Sequence, residues 1–181
     1  MSKSLFYKFV NKVLNVEQGY SNNPNDSGGP TNWGITQSKA REHGFSGDMR
    51  NLSRQKALEI YKADYWDEIL LDNVGAFSEQ LAYEMFDTGV NCGTGTSAVF
   101  LQRSLNVLND KERYYKDITV DGLMGPSTLH ALDMYFNTRG HEGLKVLTTM
   151  LNCLQGARYV TLCEQNEKDE TFMYGWASKR L

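Results

Sequence analysis

The stretch Glu17–Thr36 reads EQGYSNNPNDSGGPTNWGIT and decides how the rest of the chain is understood. It follows an apolar, helix-like run in which Phe6, Val10, Val13, Leu14 and Glu17 recur on one face at helical spacing. Lys8, Lys12 and Asn15 fall elsewhere. The pattern predicts an amphipathic helix with Glu17 in its last turn on the buried side and Gly19 as its stop. A carboxyl there is desolvated and sits at the negative end of the helix dipole. Both effects favour the protonated form, and a glutamic acid that keeps its proton near neutral pH can give it to a leaving oxygen.

The residues after it supply a complementary setting. Residues 21–31 are almost all turn-formers, and Asp26 lies among them beside Gly28 and Gly29, where water and backbone amides keep a carboxylate ionised. One protonated and one ionised carboxyl is the pair that glycoside cleavage requires. Thr31 and Thr36 add hydroxyls able to orient a water, and Trp33 offers a ring on which a sugar can stack. Each residue also has a plain structural alternative. Glu17 is then a solvated helix end, Asp26 an Asx-turn residue and Trp33 a core side chain.

The same stretch resembles the signature of glycoside hydrolase family 108, the phage and prophage N-acetylmuramidases. Glu17, Gly19, Tyr20, Asp26, Gly28, Gly29, Thr31, Gly34, Ile35 and Thr36 match it, while Gln18 stands where glycine is usual. The resemblance implies a lysozyme-like cut of the peptidoglycan glycan strand with Glu17 as the catalytic acid. The broader phage-lysozyme pattern spaces a Glu, an Asp and a Thr by eight and five residues. Here eight separate Glu17 from Asp26 and four separate Asp26 from Thr31, so the Glu–Asp half carries over better than the threonine. The expected catalytic set is Glu17, Asp26 and Thr31, and the expected substrate-binding set is Tyr20, Trp33, Asp87 and Asn91. The last two belong to FDTGVNCG, which resembles a cleft-lining helix. Asp87 and Asn91 are four residues apart and share a face, so a buried polar pair joining helices is the competing reading.

Further along, QSKAREHG reads as a short helix closed by Gly44, residues 53–70 as a longer one capped by Ser53, and residues 78–91 as another. NWGIT reads as a short strand. CGTGTS, Cys92–Ser97, is a small-residue break and the best domain boundary. Beyond it come AVFLQRSLNVLN, a polar loop, a helix begun by Pro126, a long helix that Gly156 is expected to bend, and ETFMYGWASKRL. FLQRSLN, VDGLMGPSTLHAL and FMYGWASKR resemble the predicted peptidoglycan-binding domain that follows this hydrolase in many phage endolysins. Asp121 reads as a turn acceptor and Trp176 as a core anchor. The expected fold is mainly α and lysozyme-like, with a short β-segment near the catalytic loop and a helical C-terminal part. The expected domains are 1–92 and 93–181.

Composition narrows the function classes. The 181 residues carry a formal net charge of -3, which offers no basic excess for nucleic acid. Hydrophobic residues make up 40%, enough for a core without metal or disulfides. Cys92, Cys153 and Cys163 are odd in number and lack C-x-x-C spacing, so they read as reduced, buried thiols. His43, His130 and His141 lack H-E-x-x-H spacing, and neither a metal nor a cofactor is expected. Lysines interrupt the N-terminal apolar run, so no signal peptide is read there, and no run suits a membrane span. The resemblance then implies a monomeric endolysin held in the host cytoplasm and released to the cell wall or periplasm through a holin. Its partner would be the glycan strand, and a prophage or secretion-associated role is a variant of the same reading. A lytic transglycosylase and a non-catalytic wall-binding module are the other classes left open.

Overall fold

A computed structural model describes residues 4–16, 19–22 and 29–181, with no side-chain description at 15 and 16. The expectations for Glu17, Gln18, Asp26 and Gly28 lie outside the described residues. Among those described, the chain is mainly α, with one three-stranded antiparallel sheet. No described helix is long and apolar enough to cross a membrane. Two compact units divide the chain, Met1–Asp67 and Glu68–Leu181.

In the first unit, α1 spans Leu5–Val16 and buries Phe6, Val10, Val13 and Leu14, as its periodicity predicts, together with Phe9. Phe6 and Phe9 pack on the fully buried Trp66, with ring centroids 5.6 and 6.2 Å away. The sheet joins β1 (Tyr20–Ser21), β2 (Thr31–Asn32) and β3 (Ile35–Thr36) in that order. The single strand expected over NWGIT is therefore two strands. Trp33 and Gly34, with φ of 55° and 74°, form the tight turn between them. Two successive left-handed residues match the right-handed twist of the flanking strands. The second position suits glycine, whereas the indole at the first needs outside support.

α2 (Gln37–Glu42) starts at Thr36, whose Oγ1 accepts the Lys39 N–H at 3.3 Å. The hydroxyl expected to orient a water serves as a helix cap. α3 (Arg54–Tyr61) begins at Ser53 as predicted, but the helix does not run to Leu70. It widens into a π-helix at Lys62–Asp67, and Leu70 then takes a left-handed φ of 52° that starts a separate helix, α4 (Leu71–Phe77).

The second unit packs α4, α5 (Glu79–Cys92), α6 (Thr94–Leu108), α7 (Pro126–Gln165) and α8 (Glu170–Arg180). Leu81, Met85, Phe86, Leu101, Leu105, Leu132, Leu147 and Leu151 are among its buried apolar residues. α7 is broken at Gly140, where φ is 58° and ψ is -147°. Gly156 carries no break. A Cβ there would lie 3.2 Å from Leu181, so this glycine makes room for a neighbouring side chain instead of a bend. Tyr135 spans the true break by donating its hydroxyl to the Gly143 carbonyl at 2.8 Å. The three cysteines are free thiols; Cys163 is buried and Cys92 half-buried, but Cys153 is exposed, contrary to its expected burial. Trp176 is half-buried and packs on Tyr159 and Phe172.

Trp66→Ala removes the ring on which α1 rests. It is expected to cost about 3–5 kcal/mol, read as a lower midpoint in urea unfolding.

Candidate functional site

The segment singled out by sequence is held at both ends by described structure. α1 stops at Val16, one residue before Glu17 in the chain, and the sheet begins at Tyr20. Strands of two residues cannot support themselves. Side chains do the fixing here. Asn32, 5% exposed, donates its Nδ2 to the Met49 carbonyl at 2.7 Å. Trp33 donates Nε1 to the Leu52 carbonyl at 3.0 Å, and Tyr61 donates its hydroxyl to the Trp33 carbonyl at 3.2 Å. The indole is thus tied at its nitrogen and half-buried. These bonds give the left-handed Trp33 the support its backbone needs.

Thr31 is half-buried in β2, paired with Ser21 on one side and Thr36 on the other. Tyr20 is exposed, and the Arg50 guanidinium lies 5.1 Å from its ring centroid. Tyr20, Pro30, Gln37, Arg41, Asp48 and Met49 line a cavity of about 310 Å³. This polar hollow opens beside the strands that flank residues 23–28. Tyr20 among the expected site residues lines it; Gln37, Arg41 and Asp48 were not expected. Nothing in the spacing of QSKARE marks Gln37 and Arg41 for a cavity, because an exposed polar helix face reads the same way.

A second polar group lies on α2 and the π-helix. The Asp64 carboxylate meets His43 Nε2 and Lys39 Nζ, each at 2.9 Å, and Lys39 also meets Glu42 at 2.9 Å. Burial works to raise the Asp64 pKa, but the bonds from Lys39 and His43 outweigh it and hold the carboxyl below its usual range. Hydrogen bonds to Glu42 and Asp64 push the Lys39 ammonium up. The Lys39–Asp64 ion pair pins α2 to the π-helix. Among the described residues no group of three or more His, Cys, Asp or Glu is arranged to hold a metal.

Asp87 and Asn91 lie in the second unit. Asn91 donates Nδ2 to the Asp87 carbonyl at 2.7 Å and to its Oδ2 at 3.2 Å. Arg180 of α8 reaches Asp87 Oδ1 at 2.7 Å, and both side chains are mostly buried. Beside them Thr88, Gln155 and Tyr159 form a buried chain, with donor–acceptor distances of 3.1 and 2.7 Å. Burial raises the Asp87 carboxyl, and the Arg180 charge opposes that without cancelling it. Glu84, one turn earlier, is pushed from 4.5 up to about 7 by burial first and by the Asp87 charge second. Sequence reading missed Glu84 and Arg180. Glu84 stands three residues before Asp87, on the same face, which is the available signal. Arg180 is 93 residues from its partner, and no periodicity connects them.

Known proteins give a consistent picture. Residues 10–93 match the family described as Glycosyl hydrolase 108, and residues 96–181 match the one described as Predicted Peptidoglycan domain. The solved structure of Brucella abortus SagA is similar at 23% identity and a TM-score of 0.73, over 99% of this chain and 91% of that one. That likeness shows the fold, which is mainly α and lysozyme-like. No curated protein matches the chain. α5 lies in the first matched segment, while Gln155 and Arg180 lie in the second.

Removing the Arg180 charge leaves a mostly buried Asp87 unpaired. Arg180→Met is expected to lower stability by on the order of 3 kcal/mol, read by urea unfolding. Glu84 binds its proton more tightly folded than unfolded. Its contribution is full below pH 4.5 and is lost as pH rises through about 7. Glu84→Gln should flatten this part of the stability–pH curve and stabilise the protein at pH 8 relative to the parent.

Proposed function

We propose, for a chain that belongs to the glycosyl hydrolase 108 family through residues 10–93 and carries a peptidoglycan domain behind them, that it hydrolyses the β-1,4 bond between N-acetylmuramic acid and N-acetylglucosamine. Its enzyme class, a glycoside hydrolase acting on peptidoglycan, follows from those two segments. The bond and the residues are our reading. One observation carries it. Ten signature positions crowd into the twenty residues from Glu17 to Thr36, inside the matched segment and directly after the apolar face of α1.

In this reading Glu17 protonates the glycosidic oxygen, as an acid whose pKa is raised by burial and by a helix C-terminus. Asp26, aided by Thr31, holds the attacking water or stabilises the oxocarbenium-like transition state. A water-activating Asp26 requires the two carboxyls to stand about 6.5–9.5 Å apart and inverts the anomer. Tyr20 and Trp33 border the sugar path in the first unit. The tie of Trp33 to Leu52 supports a platform role, because a fixed ring loses little entropy when a sugar stacks on it. Asp87 and Asn91, bound to each other and to Arg180, support a scaffolding role for α5 beneath any contact with substrate. The 1–92 and 93–181 division describes catalysis followed by wall recognition. The biological setting we favour is a monomeric phage endolysin held in the host cytoplasm until a holin opens the route to the wall.

Glu17→Gln should slow clearing of purified peptidoglycan by about 10²–10⁴-fold while leaving the fold intact by circular dichroism. Mass spectrometry of the fragments should show hydrated reducing ends. Products one water lighter would assign a transglycosylase, and unchanged clearing by the variant would remove Glu17 from the chemistry. A retained anomer in the first product, seen by NMR, would remove Asp26 as the base.

A further inference from the structure

Between α6 and α7 the chain runs from Asn109 to Gly125 without a regular element, yet its shape is fixed. Gln102, 1% exposed, donates Nε2 to Asp121 Oδ1 at 2.9 Å and to the Leu123 carbonyl at 3.0 Å. Its Oε1 accepts the Asp121 and Gly122 amides at 3.2 and 3.0 Å. Asn106 grips Ile118 from both sides of its peptide, at 2.8 and 2.9 Å. Asn109 holds Asp117 at 2.6 Å, and the Tyr115 hydroxyl donates to the Leu105 carbonyl at 2.8 Å. Asp110, Lys111 and Glu112 are successive non-glycine residues with φ of 57°, 56° and 60°. Such backbone is costly, and it persists where the surroundings over-determine it, which is common at ligand sites. A long irregular segment in a compact unit is either disordered or functional. This one is bonded at Glu112, Tyr115, Asp117, Ile118 and Asp121–Leu123.

The segment shapes a groove with α7. Two cavities of about 340 and 400 Å³ abut, and Asp117, Ile118 and Ser127 line both. Each is large enough for a small ligand. One lobe is polar, with Asp117, Thr119, Asp121, Ser127 and Thr128, and no basic residue lines it. The other is mostly apolar, with Tyr114, Tyr115, Ile118, Ala131 and Met134; the Lys116 at its edge is paired with Glu112 at 2.8 Å. The whole groove lies in the segment matched to the peptidoglycan domain.

We propose that this groove binds an uncharged run of N-acetylated amino sugar, the glycan strand of peptidoglycan. The proposal rests on the reading of the chain as a peptidoglycan glycosidase. The chemistry separates the two parts of that polymer. Asp117 and Asp121 in the polar lobe, where no basic residue lies, accept hydroxyl and amide protons and repel the carboxylates of a stem peptide. The apolar lobe, with Ile118, Ala131 and Met134, takes the acetyl methyl group and the C–H face of the pyranose. A segment already fixed in shape loses little entropy on binding.

The test is an NMR titration of the nitrogen-15-labelled full chain with chitotetraose and, separately, with the L-alanyl-γ-D-glutamyl-diaminopimelate tripeptide. Chitotetraose should move the amides of residues 114–119 and 127–130. Ser127→Trp, at an exposed position where the lobes meet, should weaken that binding roughly tenfold or more with the remaining spectrum unchanged. Thr119→Arg, a second exposed variant, should weaken it too and shields the test against misfolding of the first. Still groove amides, unaltered affinity in both folded variants, or binding of the tripeptide there in place of the sugar would overturn the assignment. Because the readout is binding, its outcome is independent of whether Glu17→Gln loses hydrolysis.

Discussion

Three hydrogen bonds from side chains to main chain hold the first unit's sheet, and everything that sheet carries depends on them. Its strands contribute two residues each, far too few for a ladder to be stable alone. Asn32, Trp33 and Tyr61 tie the hairpin to Met49, Leu52 and α3. Each removes a polar atom from water and satisfies it, so losing one leaves a buried group unmatched. The hairpin in turn fixes Tyr20 and Thr31, two of the positions that the signature marks, and the Trp33 ring beside them.

The two ends of the chain solve one problem by different means. In both units a short stretch of chain beside a cavity is held by side-chain bonds to main chain. The first unit uses a short hairpin bolted to neighbouring carbonyls. The second uses side-chain amides, chiefly the buried Gln102 and the half-buried Asn106, which act as substitutes for missing ladder bonds. An amide side chain offers a donor and an acceptor together, so one residue can grip a peptide on both sides. Asp121, read from sequence as a turn acceptor, takes part by accepting the Leu123 amide at 2.9 Å.

Periodicity made the helices legible. The face of α1, the Ser53 and Ser78 caps and the proline start of α7 all express local rules, and local rules leave a trace in sequence. The strands were legible only as one short β-segment over NWGIT, because two residues cannot display the alternation that would separate β2 from β3. Leu70 carries no mark of its left-handed backbone, so the helix appeared to run through it. Gly156 and Gly140 look alike as letters; one keeps helical backbone and leaves room for Leu181, and the other breaks the helix with a positive φ. The motif points to Glu17 and Asp26, which lie outside the described residues, and to Thr31, whereas the cavity residues Gln37 and Arg41 and the Arg180 partner of Asp87 arise from tertiary placement.

The Asp87–Arg180 pair has a consequence for how such chains evolve. It joins residue 87, in the segment that matches the hydrolase family, to residue 180, in the segment that matches the peptidoglycan domain, within one compact unit, so the border between the two matches is not a free seam. A recombination that grafts a foreign tail after residue 93 would strand a carboxylate in a water-poor setting unless the newcomer brings a matching cation. A tail joined there keeps that carboxylate matched only if it brings a positive charge to the same spot, so partner swapping becomes a question of electrostatic inheritance as much as of ligand choice.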